Sequence, residues 1–347
     1  MSARRLFLDE APGESRGVVT LDGEPEHLLL LRESDPPHLQ LGARLRARVR
    51  KVEPSLAIAF LDLGDGHEAL LSYRPEERPV EGSAIEVEIR TEPRAGKIAT
   101  ARYIGPAKGA PGLLSQPPSL RERLSAFSRD RAVVEGARAR QMADQAAAEA
   151  LATIHPLPGG GSLAIEPTRA LVAVDVDVGE RKGQDSKRVT RQTNLTAIAS
   201  AARLLRLKGL GGLVVIDLAG RGHDAVAMLS AARAAFGPDN PGVSISPLSR
   251  FGTLELTLPR RTRPVAERLL RTDGAPSGEA VAFDLVRALQ TRAEADRGAR
   301  FTIRAVPEIV TLAEPLVERL KAVMGARFAL VPDPQRERAA FDIREAQ

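Results

Sequence analysis

The stretch 170–183, ALVAVDVDVGERKG, places two aspartates one residue apart in an otherwise apolar run and follows them at once with basic residues. Side chains two positions apart on a strand share a face. Leu171, Ala173, Asp175 and Asp177 therefore line one side, and Val172, Val174, Val176 and Val178 the other. Upstream, SLAIE (162–166) supplies a partner strand that turns at Pro167 and Thr168, so the region reads as a β-hairpin. Downstream, TNLTAIASAARLLRLKGLGG (193–212) opens on Thr193, a capping-type residue. It carries Leu195, Ile198, Ala199, Ala202 and Leu205 at helical spacing and stops at Gly209. LVVID (213–217) follows as a short buried strand. Strand, helix and strand in this order form a crossover, which predicts parallel neighbours in one sheet.

Asp217 ends its strand as Asp175 and Asp177 nearly end theirs, so three carboxylates are expected at the C-terminal edge of the sheet, where open α/β sheets place ligands. Carboxylates that close repel one another, and a cation between them removes the conflict. Oxygen donors with neither sulfur nor histidine suit Mg²⁺, which bridges readily to phosphate and equips a site for phosphodiester hydrolysis. The basic run RKGQDSKRVTRQ (181–192) would hold the substrate backbone. The structural alternative makes Asp175 and Asp177 solvated residues of an edge strand paired with Arg181 and Lys182, and Asp217 a cap for the next element.

At 347 residues the length suggests about two to three domains. Apolar residues are 43% of the chain, and no run approaches the roughly 18 consecutive apolar residues of a membrane span. The opening MSARRLFLDEAPGES lacks the apolar core of a secretory signal, so the cytoplasm is the expected compartment. With no Cys and five scattered His, neither a disulfide framework nor a thiolate zinc site is expected. The net charge of +5 is modest, but RLRARVRKVEP (44–54), 181–192 and PRRTRP (259–264) concentrate it, as a polyanion binder does. Aromatics, at 3%, argue against a broad base-stacking platform.

Residues 5–32 read as strands around a turn at LDGEP. Five strand-like runs between 41 and 104, separated by turn residues, have the cadence of a small OB-like barrel. The stretch 106–118 reads as a linker, 119–153 as helical with Gly136 inside it, and the C-terminal region as two helices with strands RFTIRAV and RFALVPD. His67 and His223 read as hydrogen-bonded surface histidines.

The letters of 174–220, VDVDVGERKG…QTNLTAIASAARLLRLKGLGGLVVIDLAG, resemble the catalytic core of the ribonuclease E/G family. That family has a D-[IV]-N-S-[GA] strand, a T-N-L-x-A helix, an R-x-L-R-L-x-x-L-G-G-L turn and a V-I-D-F strand. ISPLSRFGTLELT (245–257) is similar to its I-x-x-[LI]-S-R-F-G-x-[LV]-E-[ML] segment, and VRKVEPSLAIAFLDLGDGHEALL (49–71) to the start of its S1-type RNA-binding domain.

The resemblance implies an α+β multidomain protein: a shortened RNase H-like part (1–37 with 105–156), an S1-type OB-fold barrel (38–104), a mixed α/β DNase I-like catalytic subdomain (157–265) and a small C-terminal α/β domain (275–347). It implies a Mg²⁺-dependent endoribonuclease for single-stranded RNA, with Mn²⁺ as the substitute ion, Asp175 and Asp217 as metal ligands, and water as the attacking group. Asp177 falls where the family has asparagine, and both a third ligand and a weakened site stay open. Phe60 matches a base-stacking aromatic of the barrel, and the second such position is Ala69, with Tyr73 as a substitute. Lys182, Lys187, Arg188, Arg191 and Arg250 are the expected RNA contacts.

Several letters depart from the pattern. Gly220 stands where the family has a second acid, KRVT (187–190) replaces an acidic stretch, and RTDGAPSGE (271–279) stands near the place of the zinc-binding C-P-x-C motif. No zinc is expected. A homo-oligomer not linked by zinc and a contact with a ribosome or an RNA-decay complex remain open partner classes. The rival reading is an RNA-binding protein that keeps the family's shape without cutting.

Overall fold

The computed structural model describes residues 4–128, 130–179 and 186–346. The chain opens with β1 (Arg4–Ala11), β2 (Glu14–Leu21) and β3 (Glu24–Arg32), an antiparallel meander. RLFLD gives four successive buried residues, Leu6, Phe7, Leu8 and Asp9, because both faces of this sheet are covered. Phe7, Val18 and Leu28 face the main core, while Leu6, Leu8 and Val19 meet a second cluster.

The five barrel runs expected from the sequence are all strands: β4 (Arg44–Glu53), β5 (Ile58–Gly64), β6 (His67–Ser72), β7 (Ala84–Thr91) and β8 (Ala99–Pro106). They pair in the order β5-β6-β8-β7-β4, and β4 closes back on β5. A closed five-stranded barrel of this order is consistent with an OB-fold. Alternation places Ala59, Leu61 and Leu63 inside and Ile58, Phe60 and Asp62 outside. The stretch read as a linker holds one more strand, β9 (Gly112–Ser115), which pairs with β4, so the barrel reaches past residue 104.

The chain goes into the barrel and comes out of it at one place. Arg123 donates to the carbonyls of Leu41 and Pro118, both at 3.2 Å, and so clasps the two connections together. Gly42 permits their contact: its φ is +84°, and a Cβ there would lie 3.1 Å from the Pro118 ring.

The stretch 119–153 is broken where a single helical region was expected. α1 (Leu120–Ser125) is capped by Ser119 and Glu122 in a reciprocal box, and it buries Leu120 and Leu124 against the first sheet. β10 (Val133–Val134) then adds to β1 in parallel, and α2 (Ala137–Leu151) starts after Gly136. Small residues Ala139, Ala143, Ala146 and Ala150 form the buried face of α2.

The central sheet has the order β11-β12-β13-β14-β16-β15. Its strands are β11 (Ile154–Pro156), β12 (Ser162–Pro167), β13 (Val172–Asp177), β14 (Gly212–Asp217), β15 (Ser244–Ile245) and β16 (Thr253–Leu258). The hairpin β12–β13 and the parallel pair β13–β14 agree with the sequence reading. Helix α3 (Ser186–Lys208) links that pair, and α4 (Ala225–Phe236) covers the same core. The helix begins seven residues before Thr193, which is buried in it and caps nothing. Ala197, Ile198, Ala201, Leu204, Leu205 and Leu207 of α3 are all fully buried, because the helix is packed against β3 on one side and β12–β13 on the other.

After α5 (Val265–Leu269), the C-terminal unit is α6 (Gly278–Ala295), β17 (Phe301–Ala305), α7 (Pro307–Met324), β18 (Phe328–Pro332) and β19 (Phe341–Glu345), with its own core. The strand β19 escaped the sequence reading. A buried ionic lattice joins this unit to the first sheet. Arg287 reaches Glu14 at 2.6 Å and Asp9 at 3.3 Å, Arg16 reaches Asp9 at 2.7 Å, and Arg32 reaches Glu14 at 2.8 Å. All five side chains are at most 8% exposed. Among the described residues no helix is long and apolar enough to cross a membrane.

A cavity of about 1050 Å³ lies at the seam of first sheet, barrel connections and central unit, lined in part by His27, Phe127, Arg206 and Arg261. Burial pushes the His27 imidazole down to about 4, with the Arg206, Arg4 and Arg261 guanidiniums acting in the same direction and Glu26 against it. The unfolded chain, with a histidine of ordinary value, binds the extra proton between about pH 6.5 and 4. Stability should therefore fall as pH drops through that window, by up to about 3 kcal/mol at about 1.4 kcal/mol per pH unit. Urea titrations of wild type and His27→Gln at pH 7 and pH 4.5 test this: the pH-dependent loss should be smaller in the variant, and equal losses would remove His27 as its source.

Candidate active site

Asp175 and Asp217 are register partners on the parallel strands β13 and β14. Neighbouring strands lie about 4.8 Å apart, so the two carboxylates leave the sheet side by side. Their sequence neighbours Val174, Val176, Ile216 and Leu218 are buried, whereas both aspartates are exposed. The row continues to Ala164 on β12 and Thr253 on β16, which makes β13 an interior strand and excludes the edge-strand alternative. Neither aspartate has an ion pair or a hydrogen bond among the described residues. Arg181 and Lys182, the partners of that alternative and, for Lys182, a candidate RNA contact, lie outside the described residues.

Asp177 projects from the same face two residues further on, opposite Ser162 and past the end of β14. Its Oδ1 accepts the Gly179 amide proton at 2.9 Å, so the side chain shapes the turn that leaves the strand. Among the described residues no three His, Asp or Glu side chains converge tightly enough to hold a metal ion by themselves. Two uncompensated carboxylates nonetheless fit a hard cation that keeps waters in its shell.

Three residues unassigned in the sequence reading organise this edge. Asn194 of α3 is fully buried; its amide donates to the Ala219 carbonyl and accepts from the Ala219 amide, both at 3.0 Å, fixing the loop that follows Asp217. Glu255 lies on β16 two residues from Thr253, whose hydroxyl donates to it at 3.2 Å. Ser249 binds Thr253 side chain to side chain at 2.7 Å and closes the SRFG turn. Their signal was present in the quoted TNL and SRFGTLE letters.

A cleft of about 420 Å³ opens beside the loop, lined by Lys187, Arg191, Asn194, Gly220, Arg221 and His223. Lys187, Arg188 and Arg191 are exposed on the first turns of α3, with Arg191 paired to Asp224 at 3.3 Å. Gly220 has φ +83°, and a Cβ would meet the Thr190 methyl at 2.9 Å, so the acid that the resemblance sets there has no room. The His223 Nε2 is buried without a hydrogen-bond partner, contrary to the expected surface histidine. Arg250 is exposed and its guanidinium sits 4.7 Å from the Phe251 ring centroid.

The barrel aromatics stand elsewhere. Phe60 is half-buried on the outer face, between Lys51 and Leu70 on the neighbouring strands. Tyr73 packs against the barrel core with its hydroxyl buried and unpartnered, which is the placement of a core ring. Barrel and central unit meet where the Glu92 amide donates to the Arg261 carbonyl at 2.8 Å and the Arg263 amide to the Glu92 carboxylate at 3.1 Å. Those contacts lie beyond Leu258, at the other end of β16 from Thr253 and about 17 Å from the acidic row at 3.4 Å per residue. Among the described residues no hydrogen bond, ion pair or cleft joins Phe60 or Tyr73 to the carboxylates.

Fold and site together define an α+β protein with a barrel module and an open pair of carboxylates beside a cationic cleft. Residues 114–261, which include both aspartates and Arg250, match the model of the ribonuclease E/G family. Ribonuclease E of Escherichia coli (strain K12) is 29% identical over 204 residues, covering 54% of this chain and 19% of that protein. Ribonuclease E of Haemophilus influenzae is 34% identical over 147 residues (40% of this chain, 16% of that protein), and a chloroplastic ribonuclease E/G-like protein of Arabidopsis thaliana is 36% identical over 114 residues (31% and 11%). The likeness to the ribonuclease E/G family thus rests on this central segment, which carries both aspartates. The chain spans a fifth or less of the length of these three relatives.

Proposed function

We propose that the chain is an endoribonuclease that cuts single-stranded RNA at the Asp175–Asp217 pair, in RNA processing or decay. The observation that carries this reading is the register pairing of two exposed carboxylates with no cationic partner among the described residues, inside the segment matched by the family model. Asp175 and Asp217 would hold Mg²⁺, or Mn²⁺ in its place, and the bound ion would polarise a phosphoryl oxygen and make a bound water acidic enough to attack. Lys187, Arg188 and Arg191 present positive charge to the RNA backbone, and Asn194 keeps the loop after Asp217 in place. Phe60 offers the barrel's outer ring to a base at a separate position on the strand. The first sheet with β10 as a shortened RNase H-like part, and the central unit as a DNase I-like subdomain, belong to the same proposal, as do a cytoplasmic location and an oligomer not linked by zinc.

A non-cleaving RNA-binding protein is the second reading. It is favoured by Gly220, where an acid cannot fit, and by Asp177 in place of asparagine. A fluorescent single-stranded RNA incubated with Mg²⁺ and with EDTA separates the two. Internal cuts in Mg²⁺ that disappear in EDTA are expected, with the same sequence in duplex form left intact. Retention of the RNA without cuts under either condition would favour the second reading, and cuts that persist in EDTA would exclude the metal.

A further inference from the structure

Phe251 lies two residues before Thr253, the register partner of Asp217, and its ring is 77% exposed. Among the described aromatic side chains only Tyr103, at 49%, is otherwise exposed. A single exposed phenylalanine needs no explanation by itself, but here the backbone around it is built in detail. Ser249 Oγ accepts the amide protons of Phe251 at 3.2 Å and Thr253 at 3.1 Å, and the Ser249 amide donates to the Thr253 carbonyl at 3.0 Å. Gly252, at φ +91°, comes so close to His223 that a Cβ would lie 2.9 Å from its Nε2. The turn is therefore fixed against His223, a residue that lines the cationic cleft, and it ends on Thr253, the register partner of Asp217.

We propose that Phe251, backed by Arg250, is a nucleobase platform that seats a base of the single strand beside the phosphate at the carboxylate pair. Arg250 lies over one face of the ring at 4.7 Å, and the exposure that remains leaves the other face to a ligand. A base stacks on such a face whatever its identity, and the guanidinium adds a positive charge for the adjoining phosphate. The ligand class is thus an unpaired nucleotide within an RNA strand, held by its ring and not by its hydrogen-bonding edge. Placement on a rigid turn fits this role, because a ring already fixed in position loses little freedom on binding. The aromatic contact nearest the reacting phosphate is then supplied by the central unit, while the barrel supplies a more distant one.

The inference rests on the reading of the carboxylate pair as an RNA-cutting site, and its test separates the two. The chain contains no tryptophan, so Phe251→Trp makes the platform itself a unique fluorescent reporter. The full chain carrying Phe251→Trp and Asp217→Asn is titrated with a single-stranded RNA ten nucleotides long and with an abasic strand of equal length, and binding is read independently by anisotropy of labelled strands. The expected result is saturable quenching of the tryptophan by RNA and none by the abasic strand. In the Asp217→Asn background, Phe251→Ala should weaken RNA binding by about 5- to 150-fold, the equivalent of stacking one base, while its affinity for the abasic strand stays the same. Undiminished RNA affinity in Phe251→Ala, or unchanged emission at saturating RNA, overturns the platform and leaves the RNA reading standing. Emission that follows protein concentration and ignores RNA assigns the ring to a contact between copies and also overturns it. No RNA binding by any form overturns both.

Discussion

Asp217→Asn should lower the rate of Mg²⁺-dependent RNA cleavage by about a thousandfold or more while leaving RNA affinity nearly intact. A metal at such a site supplies several kcal/mol of transition-state stabilisation, and each 1.36 kcal/mol is tenfold in rate. Asparagine keeps the shape and removes the charge that holds the ion. Because Asp217 is exposed and unpaired among the described residues, the variant leaves no buried charge behind, so its unfolding midpoint should match wild type. Asp175→Asn should behave alike, as its register partner. Asp177→Asn is the informative contrast: an amide oxygen can still accept from Gly179, and cleavage should be retained. Single-turnover cleavage with parallel binding and urea titrations measures all three. Wild-type cutting by Asp217→Asn would remove this residue from the site.

Arg287→Ala should destabilise the protein by about 3–5 kcal/mol, the range for breaking a buried ion pair by deleting one partner. The guanidinium is 5% exposed and bridges Glu14 and Asp9, each at most 2% exposed, across the join between α6 and the first sheet. Deletion leaves Glu14 with Arg32, and Asp9 with Arg16 and with Arg140 at 3.5 Å, so each carboxylate keeps a close cation and the cost belongs toward the lower end of that range. Arg102→Ala provides the control. Its pair with Glu88 at 3.1 Å is on the surface, with the arginine 57% exposed, and should contribute under about 1 kcal/mol. Urea unfolding midpoints compare the two. Equal losses would show that the lattice adds no net stability at this join.

The parts legible in the sequence were those whose signal is local. Alternation in 172–177 gave the strand and its acidic face, the period of 195–205 gave the helix, and the turn residues between 41 and 104 cut five barrel strands correctly. What failed was decided by contacts between distant segments. Thr193 has the chemistry of a cap, yet helix α3 runs back to Ser186 and buries it. β9 is four residues among glycines and prolines and exists because the edge of β4 was free to pair. The docking of the barrel through residues 91–95 and 260–267 likewise joins segments far apart in the sequence. Exposure of Phe251 and the meeting of Asp9 with Arg287 leave no trace in any window of sequence, because each depends on which surfaces the remainder of the fold covers.

The clasp made by Arg123 carries one more consequence. Leu41 and Pro118 are brought to the same guanidinium, so the chain between them departs from and returns to a single point on the frame. The barrel is in effect a cassette, and the frame beneath it could be closed by a short bridge across that point or fitted with a different module of equal footprint. The hydrogen bonds around residues 91–95 and 260–267 are the latch that such an exchange would have to reproduce. The carboxylate pair sits at the opposite end of the sheet, so an exchange of the cassette would leave the strands that carry Asp175 and Asp217 untouched.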